Sequence, residues 1–128
     1  MAIVEVANLA VKVDDLDGAV AFYRWAGATV TDPEDWRQGR RADVALGPLH
    51  LTLFTRALYE DGTLPEGFLH VALFTDDLDR ELEGHAVLWG PDVVSGPTFG
   101  SRRIAFVEAP GGMRLEFMEQ LTPPGVAP

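Results

Sequence analysis

Three histidines, twenty acidic residues and no cysteine set the chemistry open to this 128-residue chain. Without thiols there is no disulfide framework, no thiolate nucleophile and no cysteine-ligated zinc or iron–sulfur centre, so any metal has to be held by His, carboxylate or amide. No glycine-rich phosphate loop and no nucleophile elbow occurs. Ser95, in Val93-Val94-Ser95-Gly96, runs into Pro97 rather than into a helix and has no activating context. The residues that stand out are His70, Glu116, and His50 two positions before Thr52. On a strand that spacing puts His50 and Thr52 on one face, ~7 Å apart. A catalytic zinc takes three protein ligands and a ferrous oxygenase site two His and a carboxylate. A triad of His50, His70 and Glu116 is one reading. A charge-assisted His70–Glu116 pair, which offsets the cost of burying a carboxylate, is the plainer one. Glu116 as a general base with a raised pKa is the third.

Ten basic against twenty acidic residues give a net charge of −10. That field repels phosphate backbones and anionic membranes and favours cationic or neutral partners, so neither nucleic acid nor membrane is an expected partner. With 47% hydrophobic side chains the chain is long enough for one packed core and short for two domains. The first residues, Met1-Ala-Ile-Val-Glu5, show no basic region ahead of an apolar stretch, and charges interrupt every run that approaches membrane-spanning length, so a cytoplasmic protein is expected.

The elements that must position the chemistry follow from periodicity. Residues 4–13 alternate, with Ala7, Leu9, Val11 and Val13 on one face and Asn8, Ala10 and Lys12 on the other, as a strand does. Asp14 or Asp15 caps a helix of about three turns in which Leu16, Ala19, Val20 and Tyr23 share a face and Gly27 stands at the C-cap. Phe22, Tyr23 and Trp25 are expected to pack. A short strand at 28–31, a turn at 32–35, and strands at 41–46 and 49–55 turning at Gly47-Pro48 complete a β-α-β-β-β unit. Residues 56–67, with Gly62, Pro65 and Gly67, read as a connection.

The unit then recurs. Asn8-Leu9-Ala10-Val11 matches His70-Val71-Ala72-Leu73, and Asp14-Asp15-Leu16-Asp17 matches Asp76-Asp77-Leu78-Asp79, both at a displacement of 62. Arg40-Arg41 matches Arg102-Arg103 at the same displacement. After Pro48 and Pro110 it becomes 64, read as Gly111-Gly112 lengthening the second hairpin by two residues. Leu78 and Leu82, closed by Gly84, form a shorter second helix.

These residues resemble the vicinal-oxygen-chelate superfamily, which includes glyoxalases, bleomycin-resistance proteins and extradiol dioxygenases. The marks are the apolar strand running into Asp-Asp-Leu-Asp in both halves, Ala21-Phe22-Tyr23, Phe68-Leu69-His70-Val71-Ala72, and residues 109–117, Ala-Pro-Gly-Gly-Met-Arg-Leu-Glu-Phe. Coverage is roughly residues 3–120. The resemblance implies an α+β fold, a single domain over 1–128 made of two tandem βαβββ modules (about 3–56 and 67–120) whose sheets form a curved cup, with a tail at 121–128 whose last residues, 123–128, are expected to be disordered. It implies metal ligands at four equivalent places, here Asn8, Thr52, His70 and Glu116. Only the second half carries strong ligands, so the expectation is no cofactor, with a divalent metal at His70 and Glu116 as the alternative.

Period two along these strands adds Ala10, His50, Phe54, Ala72, Phe74, Arg114 and Met118 to the cup lining. Trp36 is a stacking wall or a dimer contact, Trp89 faces either cup or core, and Tyr59 and Phe99 are rim residues. The ligand-binding set is therefore Asn8, Trp36, His50, Thr52, Phe54, Tyr59, His70, Phe74, Trp89, Phe99, Arg114 and Glu116. Such a mixed wall suits a small aromatic, amphipathic or cationic organic ligand. The expectation is a homodimeric, resistance-type protein that sequesters a natural product without catalysis. The alternative is a metal-dependent lyase, isomerase or dioxygenase of the same superfamily. A third possibility is an accessory protein that carries a biosynthetic intermediate.

Overall fold

The structure is a computed structural model, and it describes residues 3–60, 64–96 and 99–123. Nine strands, two α-helices and one short 3-10 helix follow in the order β1 (Ile3–Lys12), α1 (Leu16–Trp25), β2 (Thr29–Val30), β3 (Glu34–Trp36), β4 (Gly39–Leu46), β5 (Leu49–Phe54), β6 (Gly67–Thr75), α2 (Leu78–Leu82), β7 (Val87–Gly96), β8 (Gly100–Ala109), the 3-10 helix (Pro110–Gly112) and β9 (Met113–Thr122) among the described residues. This is the expected α+β fold, with a βαβββ order in each half. The first half gains a short strand, β3, where a turn was expected. Residues 124–128 of the expected tail lie outside the described residues, while Leu121 and Thr122 end β9.

The chain divides into two compact units, Asn8–His70 and the described residues among 1–7 and 71–128. In the first unit the strand order is β2-β4-β5-β1, with β3 beside β4. β1 runs parallel to β5 and β4 antiparallel to it. Alternation then sorts the side chains. Leu9 and Val11 of β1, Ala42 and Val44 of β4, and Leu51 and Leu53 of β5 meet Leu16, Val20 and Tyr23 of α1. Each fully buried aliphatic chain of this set stabilises by roughly 1.5–3 kcal/mol. Phe22 and Trp25 lie off that helical face. The expectation that they pack is overturned: they are 57% and 82% exposed and stack on each other at 6.0 Å.

In the second unit the order is β6-β9-β8-β7, and Leu73, Ala105, Val107 and Phe117 bury Leu78 of α2. Of the two candidates for the first helix, Asp15 is the cap, and Asp77, 62 residues on, caps the second. Asp15 accepts from Gly18 N at 3.0 Å and Asp77 from Arg80 N at 3.2 Å. Asp15→Ala is expected to lower unfolding free energy by about 1 kcal/mol, and Asp15→Asn by much less, in urea titrations followed by circular dichroism.

The strand registers revise the repeat. Leu9 stands opposite Leu51 and Val71 opposite Leu115, so 62 and 64 hold for the first and last strands. In between, Asp17 pairs with Arg40 but Asp79 pairs with Arg103. The equivalent arginines are therefore 63 apart, and the two extra residues enter singly. One enters between α2 and β8. The other lengthens the last turn, where Ala109 faces Met113 across three residues while Leu46 faces Leu49 across two. A one-residue step exchanges the faces of a strand. It leaves Arg103 on the helix side and turns Arg102 to the open side.

Candidate functional site

On the face of the first unit away from α1, Lys12 lies beside Phe54 and Arg41, and Ala10 beside Thr52 and Asp43. The polar groups answer one another. Thr52 Oγ1 donates to Asp43 Oδ1 at 3.0 Å, which also accepts from Arg41 Nη2 at 2.8 Å. Arg41 Nη1 donates to Glu34 Oε1 at 3.3 Å, and its guanidinium lies 5.4 Å from the Trp36 ring centre and 5.8 Å from that of Phe54. Two carboxylates and two rings thus hold one cation.

The chain then closes over this face itself. The Lys12 ammonium pairs with Glu60, both buried, and Glu60 also accepts from the backbone N–H of Leu64 at 2.8 Å and of Ala57 at 3.1 Å. Burial pushes the Glu60 carboxyl up, but the hydrogen bonds from Lys12, Leu64 and Ala57 and the Lys12 charge together outweigh it and hold the group below its ordinary value. Ala57, Tyr59 and Leu64 pack with Ala10, Phe54 and Leu69, and the Tyr59 hydroxyl lies 3.1 Å from His70 Nδ1. Residues 56–60 with Leu64 are more than a connection: they occupy the open face of the first unit.

In the second unit the matching place is a cavity. Phe74 stands opposite Met118 as Lys12 stands opposite Phe54. The cavity, of about 540 Å³, is lined by Glu5, Phe74, Asp76, Arg102, Glu119 and Gln120 among others. The Arg102 guanidinium sits 5.0 Å from the Phe74 ring centre and 4.9 Å from that of Phe99. Its Nε donates to Gln120 Oε1 at 2.7 Å, and Gln120 Nε2 donates to the Phe99 carbonyl at 2.7 Å. Ring, guanidinium and amide form one wall. Glu119 is engaged with Leu78 N at 3.0 Å and with the charge of Arg103. Glu5 and Asp76 are exposed and make no hydrogen bond or ion pair among the described residues.

The structure brings Trp36, Phe54, Tyr59 and His70 together, with the Phe54 ring 6.4 Å from both Trp36 and His70. Thr52 is buried against Asp43, and Asn8 is half-buried on β1. His50 is exposed, opposite Ala45. Phe74 and Phe99 flank Arg102, and Phe99 is buried rather than on a rim. Trp89 packs edge-on to Phe106 at 5.9 Å. Glu116 is buried opposite Ala72 and Phe106, and Arg114 is half-buried opposite Glu108. Sequence reasoning passes over Arg102 and Gln120. Extending period two from Glu116 and Met118 reaches Gln120; Arg102 is hidden by the inserted residue.

These donors do not fit a three-ligand metal centre. Among the described residues no three His, Asp or Glu side chains form a group able to hold an ion, and the Thr52 hydroxyl is committed to Asp43. Among them, too, no helix is long and apolar enough to cross a membrane.

No protein-family model and no curated protein sequence matches the chain. Solved structures do. The chain is similar to methylmalonyl-CoA epimerase from Mycobacterium tuberculosis at 22% identity, over 94% of this chain and 90% of that one, with a TM-score of 0.69. It resembles a Streptomyces coelicolor methylmalonyl-CoA epimerase in complex with 2-nitronate-propionyl-CoA at 25% identity, over 94% and 99%, with a TM-score of 0.67. It also resembles a glyoxalase I mutant from Zea mays at 18% identity, over 98% of this chain and 46% of that one, with a TM-score of 0.66. The fold is the α+β fold of these proteins, built from a repeated βαβββ unit. The likeness in fold agrees with the resemblance to the vicinal-oxygen-chelate superfamily that the sequence motifs carry.

Proposed function

We propose that this chain is a cytoplasmic small-molecule-binding protein that sequesters an aromatic or amphipathic natural product without turning it over. The observation that supports this reading is the wall of Phe74, Arg102, Phe99 and Gln120 beside a cavity of about 540 Å³. A flat apolar body gains stacking and desolvation there, and a few fixed polar groups orient it. A panel of aromatic antibiotics tested by calorimetry is expected to contain micromolar binders recovered unchanged, with Phe74→Ala weakening them about tenfold or more. A panel with no saturable binder, or with products formed, would overturn the reading. A homodimer is part of the proposal, supported by the exposed Phe22–Trp25 pair on α1, and sedimentation measures it.

The likeness to the CoA-ester-bound epimerase supports a second reading, a metal-dependent lyase, isomerase or dioxygenase with a divalent ion at His70 and Glu116. Exchange of the α-hydrogen of methylmalonyl-CoA in heavy water, with metal retained after gel filtration, would establish it. No exchange and no retained zinc, manganese or iron(II) would remove it.

A further inference from the structure

We infer that two copies of this chain pair through their α1 helices, antiparallel across a two-fold axis that passes between Ala21 and Phe22; this rests on the homodimer in the reading above and names its interface. Helix α1 buries Leu16 and Val20, and its opposite side carries Gly18, Ala21, Phe22 and Trp25 at i, i+3, i+4 and i+7, all exposed. No charge falls within that stripe. A tryptophan 82% exposed, stacked at 6.0 Å on a phenylalanine 57% exposed, leaves a contiguous apolar face in water. The fold does not require it. At the displacement of 62, Phe22 and Trp25 correspond to Gly84 and Val87, beyond the end of α2, and α2 itself exposes Asp79 and Arg80 instead.

The stripe is small at its N-terminal end and large at its C-terminal end, and this gradient selects a second copy as the occupant. Antiparallel pairing sets each Trp25 over the Gly18 of the other copy and each Phe22 beside the other Ala21, so that one surface is its own complement. Gly18 is held small by its own helix, because a Cβ there would collide with the capping carboxylate of Asp15. Asp17 and Arg24 lie on one flank of the stripe, and the same axis brings each Asp17 alongside the Arg24 of the other copy. A parallel pair would instead set like charge on like charge. Arg24 is held by Asp32 at 2.8 Å and Asp17 by Arg40 at 3.5 Å within the chain, so this flank is a matched rim and the rings drive association. Chains of net charge −10 repel each other, which leaves an uncharged stripe as the place for two of them to meet. Two rings exposed to this degree bury roughly 300 Å² per copy, well under the ~800 Å² of a standard stable interface, so the dimer is weak and depends on concentration.

Sedimentation equilibrium of the full chain from about 1 to 300 μM is expected to show monomer and dimer with a dissociation constant in the tens of micromolar. Raising sodium chloride from about 50 to 500 mM is expected to tighten it about two- to fivefold, because salt screens the mutual repulsion of the two chains. Trp25→Ala is expected to weaken the dimer about tenfold or more, and Ala21→Glu, which sets two carboxylates beside the axis, to leave monomer alone. Both positions are exposed, and far-ultraviolet circular dichroism checks that the variants stay folded. Val93→Ala, at a 49% exposed position on β7, is expected to leave the dimer unchanged. A dimer that the α1 variants do not weaken, or that salt dissociates, would overturn the inference and leave the homodimer standing. Monomer at every concentration would overturn both.

Discussion

Lys12→Met is expected to lower the unfolding free energy by about 3–5 kcal/mol at neutral pH, because it leaves the Glu60 carboxylate buried without its counter-ion. The double variant Lys12→Met/Glu60→Gln is expected to recover part of that loss. The glutamine amide oxygen keeps only one of the two backbone hydrogen bonds, from Ala57 or from Leu64, because these reach different oxygens of Glu60, but no charge remains to be desolvated. Urea unfolding of the three proteins reads this directly, and a double variant no better than the single one would show that charge pairing is not what holds residues 56–60 in place.

The pH dependence has a definite sign. Glu60 is held below its ordinary value of 4.5 in the folded chain, so it contributes stability that is present above that value and is lost as pH falls through the lower folded value. In Lys12→Met, burial without the cation raises the same carboxyl, and protonation then relieves the penalty. The gap between parent and single variant should therefore narrow on acidification.

Phe106→Ala is the second large effect, expected to cost about 3–5 kcal/mol. Phe106 is 1% exposed on β8, opposite the buried Glu116 and edge-on to Trp89 at 5.9 Å. Truncation leaves a void against a carboxylate, so the site cannot simply collapse into an apolar gap, and the edge-to-face contact of about 0.5–1.5 kcal/mol goes with it. Phe68→Ala, at a 51% exposed position, is the control and should change stability by about 0.5 kcal/mol or less. Chemical denaturation followed by near-ultraviolet circular dichroism measures both, and similar costs at the two positions would contradict the core assignment.

Much of the fold was legible in the sequence where local pattern and tertiary packing agree. Alternation marked β1, and the helical spacing of Leu16, Ala19, Val20 and Tyr23, with an aspartate before it and Gly27 after it, marked α1. The rest depended on partners far along the chain. β3 contains Glu34 and Asp35 and has no strand pattern of its own; it exists because it pairs with β4. A repeated dipeptide, Arg40-Arg41 against Arg102-Arg103, concealed the single inserted residue, and the Asp17–Arg40 and Asp79–Arg103 pairs with the strand registers reveal which arginines correspond.

The candidate site divided in the same way. Phe54 and Phe74 followed from strand period, and His70 from its place in the repeat, where it matches Asn8. The role of Glu60 could not be found locally, because its partner Lys12 lies 48 residues away. Trp25 was misread because an aromatic on an amphipathic helix usually packs, whereas here the buried stripe is already filled by smaller side chains.

Residues 56–60 with Leu64 bear on how many molecules one chain holds. A tethered occupant meets its own pocket at an effective concentration in the millimolar range, which a micromolar free ligand does not displace. On the binding reading, the internal repeat doubles the framework without doubling capacity, because residues 56–60 with Leu64 fill the open face of one half. Titrations should close at one equivalent per chain, and any sigmoid curve would have to arise between chains rather than within one.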